Sequence, residues 1–317
     1  MTSTAAPPIP TAEPRPIAPE PAGRARRPRR RSPGFGILAL LPFVLFGLVF
    51  AVYPLAQVIR MAFSDVAIRG GVFQWDAAGL ENFAAVVEDP VALRSIGNTV
   101  LFVVLTVVVS LFVGLALALL VDRAVAMLPL ARNVLIWPAV IAPVVVSLMW
   151  LLLLSPTAGG LNKLLLNLGL PTQGWLGDGP TAMAAVVIVD VWHWTPVVFL
   201  FLYTALQGVD ASTLEAARVD GAGEWRVIRH VVLPALRPAV VAVVVVRVIM
   251  GVKAFDEMYL LTAGGPNFAT TLVTQHIKTL FFDHLAFGEA AAFSLLVVVL
   301  TAGVVGMILF LRAKANR

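Results

Sequence analysis

The chain has 317 residues, of which 59% are hydrophobic, 13% are charged and none is cysteine, and its mean hydropathy is +0.91. A soluble domain carries about 25% charged residues, so this composition excludes an ordinary water-soluble enzyme and defines a polytopic membrane protein. Zero cysteines exclude disulfides, thiol catalysis and thiolate metal sites. The formal charge of +5 stems from one short basic run and does not point to nucleic acid.

Residues 1–34 hold nine of the 22 prolines and seven arginines, Arg15, Arg24, Arg26, Arg27, Arg29, Arg30 and Arg31. With almost no large apolar residue, this stretch is expected to be a disordered tail. The apolar run from Phe35 continues through Tyr53, Pro54 and Leu55 without a small-residue cleavage site, and so reads as an uncleaved first span. About 20 apolar residues cross a bilayer, which predicts six spans at roughly 35–59, 97–121, 130–154, 182–206, 238–262 and 290–311. Residues 35–317 then form one transmembrane domain. Arg247, Lys253, Asp256 and Glu257 leave the outer end of the fifth span vague.

With the tail inside, the cytoplasmic segments, counted with Arg132 at the inner end of the third span, carry sixteen Lys and Arg and the external segments five. The positive-inside rule therefore places both termini in the cytoplasm. Pro42, Pro54, Pro138, Pro143 and Pro196 fall within spans; each removes a backbone hydrogen bond and favours a kink. A transport pathway would use such kinks, and ordinary helix packing would also tolerate them.

The polar segment between the fourth and fifth spans, 207–237, carries the most specific pattern. Ser212 followed three residues later by Glu215 predicts a capping box opening a short helix, in which small Ala216 and Ala217 permit close approach by another surface. Gly221 supplies a positive-φ stop, and a second helix is expected from about Glu224 until Leu233-Pro234 breaks it. The result is a helix-turn-helix on the cytoplasmic face.

This segment resembles the EAA loop of permease subunits of binding-protein-dependent ABC importers: Glu-Ala-Ala, three residues, Gly, nine residues, an aliphatic residue, one residue, Leu-Pro. Glu215, Ala216, Ala217, Gly221, Leu233 and Pro234 match in register, with Val231 where isoleucine is usual. The resemblance narrows to the carbohydrate-uptake branch, of maltose and glycerol-phosphate permease type. Its further marks are Gly79-Leu-Glu-Asn-Phe83, Asn98-Thr99, Gly160-Leu-Asn162, Trp192, Pro196, Phe255-Asp256, Leu261-Thr262-Ala-Gly264-Gly265-Pro266, and Phe287-Gly288 with Ala290, Ala291 and Ala292.

The resemblance implies an all-α, six-span bundle of the type I ABC importer permease kind with a cytoplasmic EAA coupling helix. It implies ATPase coupling through Glu215, Ala216, Ala217, Asp220, Gly221, Leu233 and Pro234. The partners implied are a second, homologous permease, two copies of an ABC ATPase, an extracytoplasmic solute-binding protein and a sugar, in a bacterial or archaeal cytoplasmic membrane. A permease for a phosphate ester, polyol or other small polar solute is the alternative within the family. By the same resemblance, a maltose-type permease lines its sugar site from the helices either side of the EAA loop. Register with Glu215 and Pro196 carries that role to Asp190, His193, Trp194 and Val197. Register with Phe255 and Gly264-Gly265-Pro266 carries it to Arg247, Gly251, Ala254 and Asp256.

The residues themselves give matching limits. No Gly-x-x-x-x-Gly-Lys-Ser/Thr loop occurs, so ATP and magnesium are expected to be used by a partner and no cofactor bound here. His193, His230, His276 and His284 are too scattered for a metal or nucleophile-base site. Asp190 lies within a span, where a lipid-facing carboxylate would cost about 2.5 to 3.5 kcal/mol, so it must face a cavity or a partner such as Arg247 or Lys253. A plain ion pair and a sugar contact are both open to it. On a helix, 190, 193, 194 and 197 share one face, while Trp192 points elsewhere. A secondary transporter would need ion-coupling residues, and a membrane enzyme a paired acid and base; neither set is evident.

Overall fold

A computed structural model describes residues 33–123 and 128–315; the basic tail lies outside them. The described residues divide into two units between Val52 and Tyr53. The first contains α1 (Pro33–Gly47), followed by a π-helical turn, Leu48–Val52.

The second unit begins with α2 (Tyr53–Ala62), a β-hairpin, α3 (Glu81–Glu88) and the long α4 (Pro90–Arg123). The hairpin pairs β1 (Ser64–Arg69) with β2 (Val72–Ala77), Arg69 opposite Val72. Gly70 and Gly71 close it with φ of 61° and 79°, backbone that β-branched residues cannot adopt cheaply. Then follow α5 (Leu128–Val140), α6 (Pro143–Leu153), α7 (Gly160–Asn167) and α8 (Gly179–Leu206). The polar loop forms α9 (Ala211–Val219) and α10 (Glu224–Val227), and a π-helical turn at Ile228–Val232 leads into α11 (Leu233–Val252). Short helices α12 (Asp256–Thr262) and α13 (Val273–Lys278) precede α14 (Phe287–Ala315).

Five helical stretches are long and apolar enough to span a membrane: Leu40–Ala62, Pro90–Asp122, Gly179–Leu206, Glu224–Val252 and Phe287–Ala315. The expected third span is broken: α5 and α6 meet at 100°. Ala142 is extended (φ −63°, ψ 138°), as a residue before proline prefers, and Pro143 starts α6 where its missing N–H costs nothing. Counted as one bent span, it brings the total to six.

The fifth span departs most from expectation. It ends at Val252 rather than 262, and begins at Glu224, because Leu233-Pro234 does not break the helix. The turn before the proline widens instead: the Leu233 amide donates to the Ile228 carbonyl, five residues back. A widened turn absorbs the bond that Pro234 cannot make. The π turn at Leu48–Val52 likewise stands two residues before a proline, Pro54.

The central element is α8. Of its most apolar window 61% is buried, against 33% in α4, 28% in the Glu224–Val252 run and none in α14. Gly114 brings α4 against it, for a Cβ there would stand 2.7 Å from Val198 Cγ1. Phe102, Val107, Val146, Val186, Val189 and Met258 fill the core between α4, α6, α8 and α12. The outward faces stay apolar and exposed, as Val299 and Phe310 on α14 illustrate, which suits lipid rather than water.

Several of the expected family marks are polar clamps. Asn82 donates to the carbonyls of Ala62 and Ser64 at 3.0 and 2.9 Å, tying α3 to the end of α2. Asn98 donates to the carbonyls of Phe268 and Thr271, and Thr99 accepts from the Val273 amide, which fixes the loop before α13 onto α4. Asn162 holds the Gln173 backbone and accepts from the Trp175 indole at 3.1 Å.

Candidate functional site: a charged cavity beside the broken span

Where α11 stops, Lys253, Ala254 and Phe255 turn the chain into α12, whose N-terminus lies beside the break between α5 and α6 and the middle of α8. A cavity of about 250 Å³ opens there, lined by Pro143, Asp190, Trp194, Met250, Lys253, Ala254, Phe255, Asp256 and Glu257. Four of the eight residues expected along the substrate path line it: Asp190, Trp194, Ala254 and Asp256.

Two more stand one layer behind. Arg247, 1% exposed, donates to Asp190 through Nη2, so the ion pair foreseen as one option for Asp190 is present. Its Nε and Nη1 are buried without a hydrogen-bond partner. His193 is fully buried, with Nδ1 against Glu257 Oε1 and Nε2 3.1 Å from the Ile141 carbonyl. It thereby ties α8 both to α12 and to the broken span.

Val197 and Gly251 do not line the cavity. Gly251 serves packing, since a Cβ there would stand 2.9 Å from Val103 Cγ2 on α4. Trp192 points away as the helical period requires, and packs edge-on against Trp150 at 5.8 Å. Glu257 is a wall residue that sequence reasoning did not select. Its signal was the adjacent acidic pair Asp256-Glu257 in an otherwise apolar region; a fifth span drawn to 262 hid it within a helix.

The second candidate surface is the loop between α8 and α11. Helix α9 is capped by Asp210, whose side chain accepts from the Ser212 amide at 3.0 Å and from its hydroxyl at 2.8 Å. These bonds hold the Asp210 carboxyl below its ordinary pKa. The helix therefore starts two residues earlier than a Ser212 cap implies, and Glu215 lies beyond the N3 position of a capping box. Its carboxylate is exposed and free of that role.

Gly221 closes the turn at φ 78°, and a Cβ built on it would meet nothing within 4 Å, so the backbone alone demands glycine there. Arg218 donates to Glu224 across this turn at 3.1 Å and remains exposed, as do Arg226 and Arg229. Leu214 and Ala217 face inward onto Leu206, Val227, Val232 and Leu236. Ala216, Val219, Asp220, Gly221 and Trp225 face outward, Val219 and Trp225 at 87% and 72% exposure. Leu233 and Pro234 are half-buried at the start of α11.

Apolar spans around a polar cavity, with a helical loop projecting beyond them, define a membrane transport component. The chain belongs to the family of binding-protein-dependent transport system inner membrane components, whose model matches residues 126–313. It is 31% identical to the diacetylchitobiose uptake system permease protein NgcF of Streptomyces coelicolor, over 92% of this chain and 88% of that one. It is 33% identical to the sn-glycerol-3-phosphate transport system permease protein UgpA of Brucella abortus, over 83% and 90% of the two chains. In fold it is similar to a chain of a bacterial ABC transporter that imports the acidic polysaccharide alginate, with a TM-score of 0.79 at 20% identity over 90% and 96% of the chains. The protein is a multi-pass permease subunit of an ABC importer, a transport component and not an enzyme.

Proposed function

We propose that this permease translocates a sugar or oligosaccharide across the cytoplasmic membrane by alternating access. The observation that carries the proposal is the cavity wall, where the aromatic rings of Trp194 and Phe255 stand beside the carboxylates of Asp190, Asp256 and Glu257. Carboxylates accept hydrogen bonds from hydroxyls, and aromatic faces pack against the C–H surfaces of a pyranose. The similarity to a diacetylchitobiose permease supports the same reading.

In this reading a second, homologous permease completes the pathway, a solute-binding protein delivers the sugar, and two ATPase subunits bind and hydrolyse ATP with magnesium. Helix α9 and the turn at Gly221 dock on the ATPase through the outward side of Glu215, Ala216, Asp220 and Gly221. Ala217, Leu233 and Pro234 transmit the movement inward to α8 and α11. The excess of Lys and Arg on that side of the membrane supports a cytoplasmic loop and cytoplasmic termini.

The test is uptake into proteoliposomes holding the full transporter, with and without ATP and the solute-binding protein. Saccharide uptake should need both. It should fall about tenfold or more in Trp194→Ala, which removes a cavity aromatic, and change little in Trp192→Phe, which keeps the ring packed on Trp150. Equal effects of the two substitutions would remove this cavity from the path.

A further inference from the structure

The charges around the cavity can be assigned one by one, and their arrangement bears on which solutes fit. Asp190 is neutralised from behind by Arg247, which is 1% exposed and does not reach the cavity wall. His193 Nε2 faces the Ile141 carbonyl, which can only accept, so that nitrogen carries hydrogen. Its Nδ1 faces the Glu257 carboxyl, and two bare lone pairs would repel; a proton therefore lies between them. Whether it sits on the imidazole or on the carboxyl, the pair has no net charge. Lys253 and Asp256, both exposed at the opening, offset each other in number.

The cavity is thus neutral in sum but uneven in what it presents. Three carboxyl groups reach its wall, and among the described residues the only cation there is Lys253. The other two positive or protonated groups, Arg247 and His193, stay sealed in the layer behind: Arg247 Nη2 is aimed at Asp190 while its Nε and Nη1 are buried without a partner, and His193 faces Glu257 and Ile141. A sugar hydroxyl finds acceptors on this wall. A phosphate, sulfonate or carboxylate brings a charge that this neutral wall does not offset, and meets acceptors where it needs donors, which costs affinity steeply in a desolvated site.

We propose that the cavity formed by α6, α8, α11 and α12 admits an uncharged, hydroxyl-rich saccharide and rejects phosphorylated, sulfonated and uronic solutes. The inference rests on the saccharide reading above and narrows it. It separates this chain from the anionic substrate named for the Brucella abortus relative.

The experiment is a mass-spectrometric uptake assay on proteoliposomes of the full transporter. The panel contains neutral disaccharides, their uronic-acid counterparts, glucose 6-phosphate, sn-glycerol 3-phosphate and a mixture of amino acids and dipeptides. Uptake confined to one or more neutral saccharides is expected, with the anionic counterparts at least about a hundredfold slower and unable to compete at tenfold excess. Uptake of a phosphorylated or uronic saccharide at a comparable rate would overturn the charge assignment and leave the saccharide reading standing. Uptake of amino acids or dipeptides with no saccharide transported would remove both.

Discussion

Asp190 and Arg247 show how a buried residue can serve both the fold and the site. Each is nearly sealed from solvent, and Arg247 has two further donors without partners, so its charge is neutralised by Asp190 alone among the described residues. Removing one member of such a pair leaves an uncompensated buried charge, at a typical cost of about 3 to 5 kcal/mol. Arg247→Met should therefore lower the melting temperature of the detergent-purified complex, and adding Asp190→Asn should recover most of the loss. If the double variant melts no higher than Arg247→Met, the pair is not what holds α8 to α11. Both residues were legible in the sequence, because a charge inside an apolar span must face a cavity or a partner. Glu257 was not, because hydropathy carried the fifth span past it. His193 was legible by its helical face, but its position behind the wall depends on α12, which no local pattern announced.

At the scale of elements, proline carries most of the departures from expectation. Pro143 starts a new helix at 100° to the last, whereas Pro234 and Pro54 each follow a π-helical turn and leave the helix running. The difference lies in the residue before: Ala142 is extended, while Leu233 remains helical with its amide bonded five residues back. Sequence alone marks the proline without saying which relief the chain takes. The turn at Gly221 was legible, since a glycine between two helix-forming segments ahead of a long apolar run has few other uses. Because nothing crowds a Cβ there, only the left-handed backbone penalises substitution. Gly221→Asn should retain most uptake, and Gly221→Val should cost about 1 to 2 kcal/mol and a larger share of uptake. Equal activity of the two variants would contradict the turn's role.

For the whole molecule, the six-span count and the order of its parts follow from hydropathy and charge, while the way the spans pack does not. Gly114 against Val198 and Gly251 against Val103 bring α4 close to α8 and α11, and each glycine is indistinguishable in sequence from one that merely tolerates a helix. The Asn82, Asn98 and Asn162 clamps were marks of resemblance before the structure gave them partners. In the proposed function, the parts act as a transporter through coupling between the cavity and the loop 207–237, by way of α8 before it and α11 after it. The most direct measurement is ATP hydrolysis and saccharide uptake by the reconstituted full transporter carrying Glu215→Lys, with complex assembly checked by co-purification. If Glu215 docks on the ATPase as proposed, its exposed position predicts normal assembly with hydrolysis and uptake both reduced by about tenfold or more, since a reversed charge there would repel the partner. Normal uptake by the assembled variant would contradict the coupling role assigned to the loop.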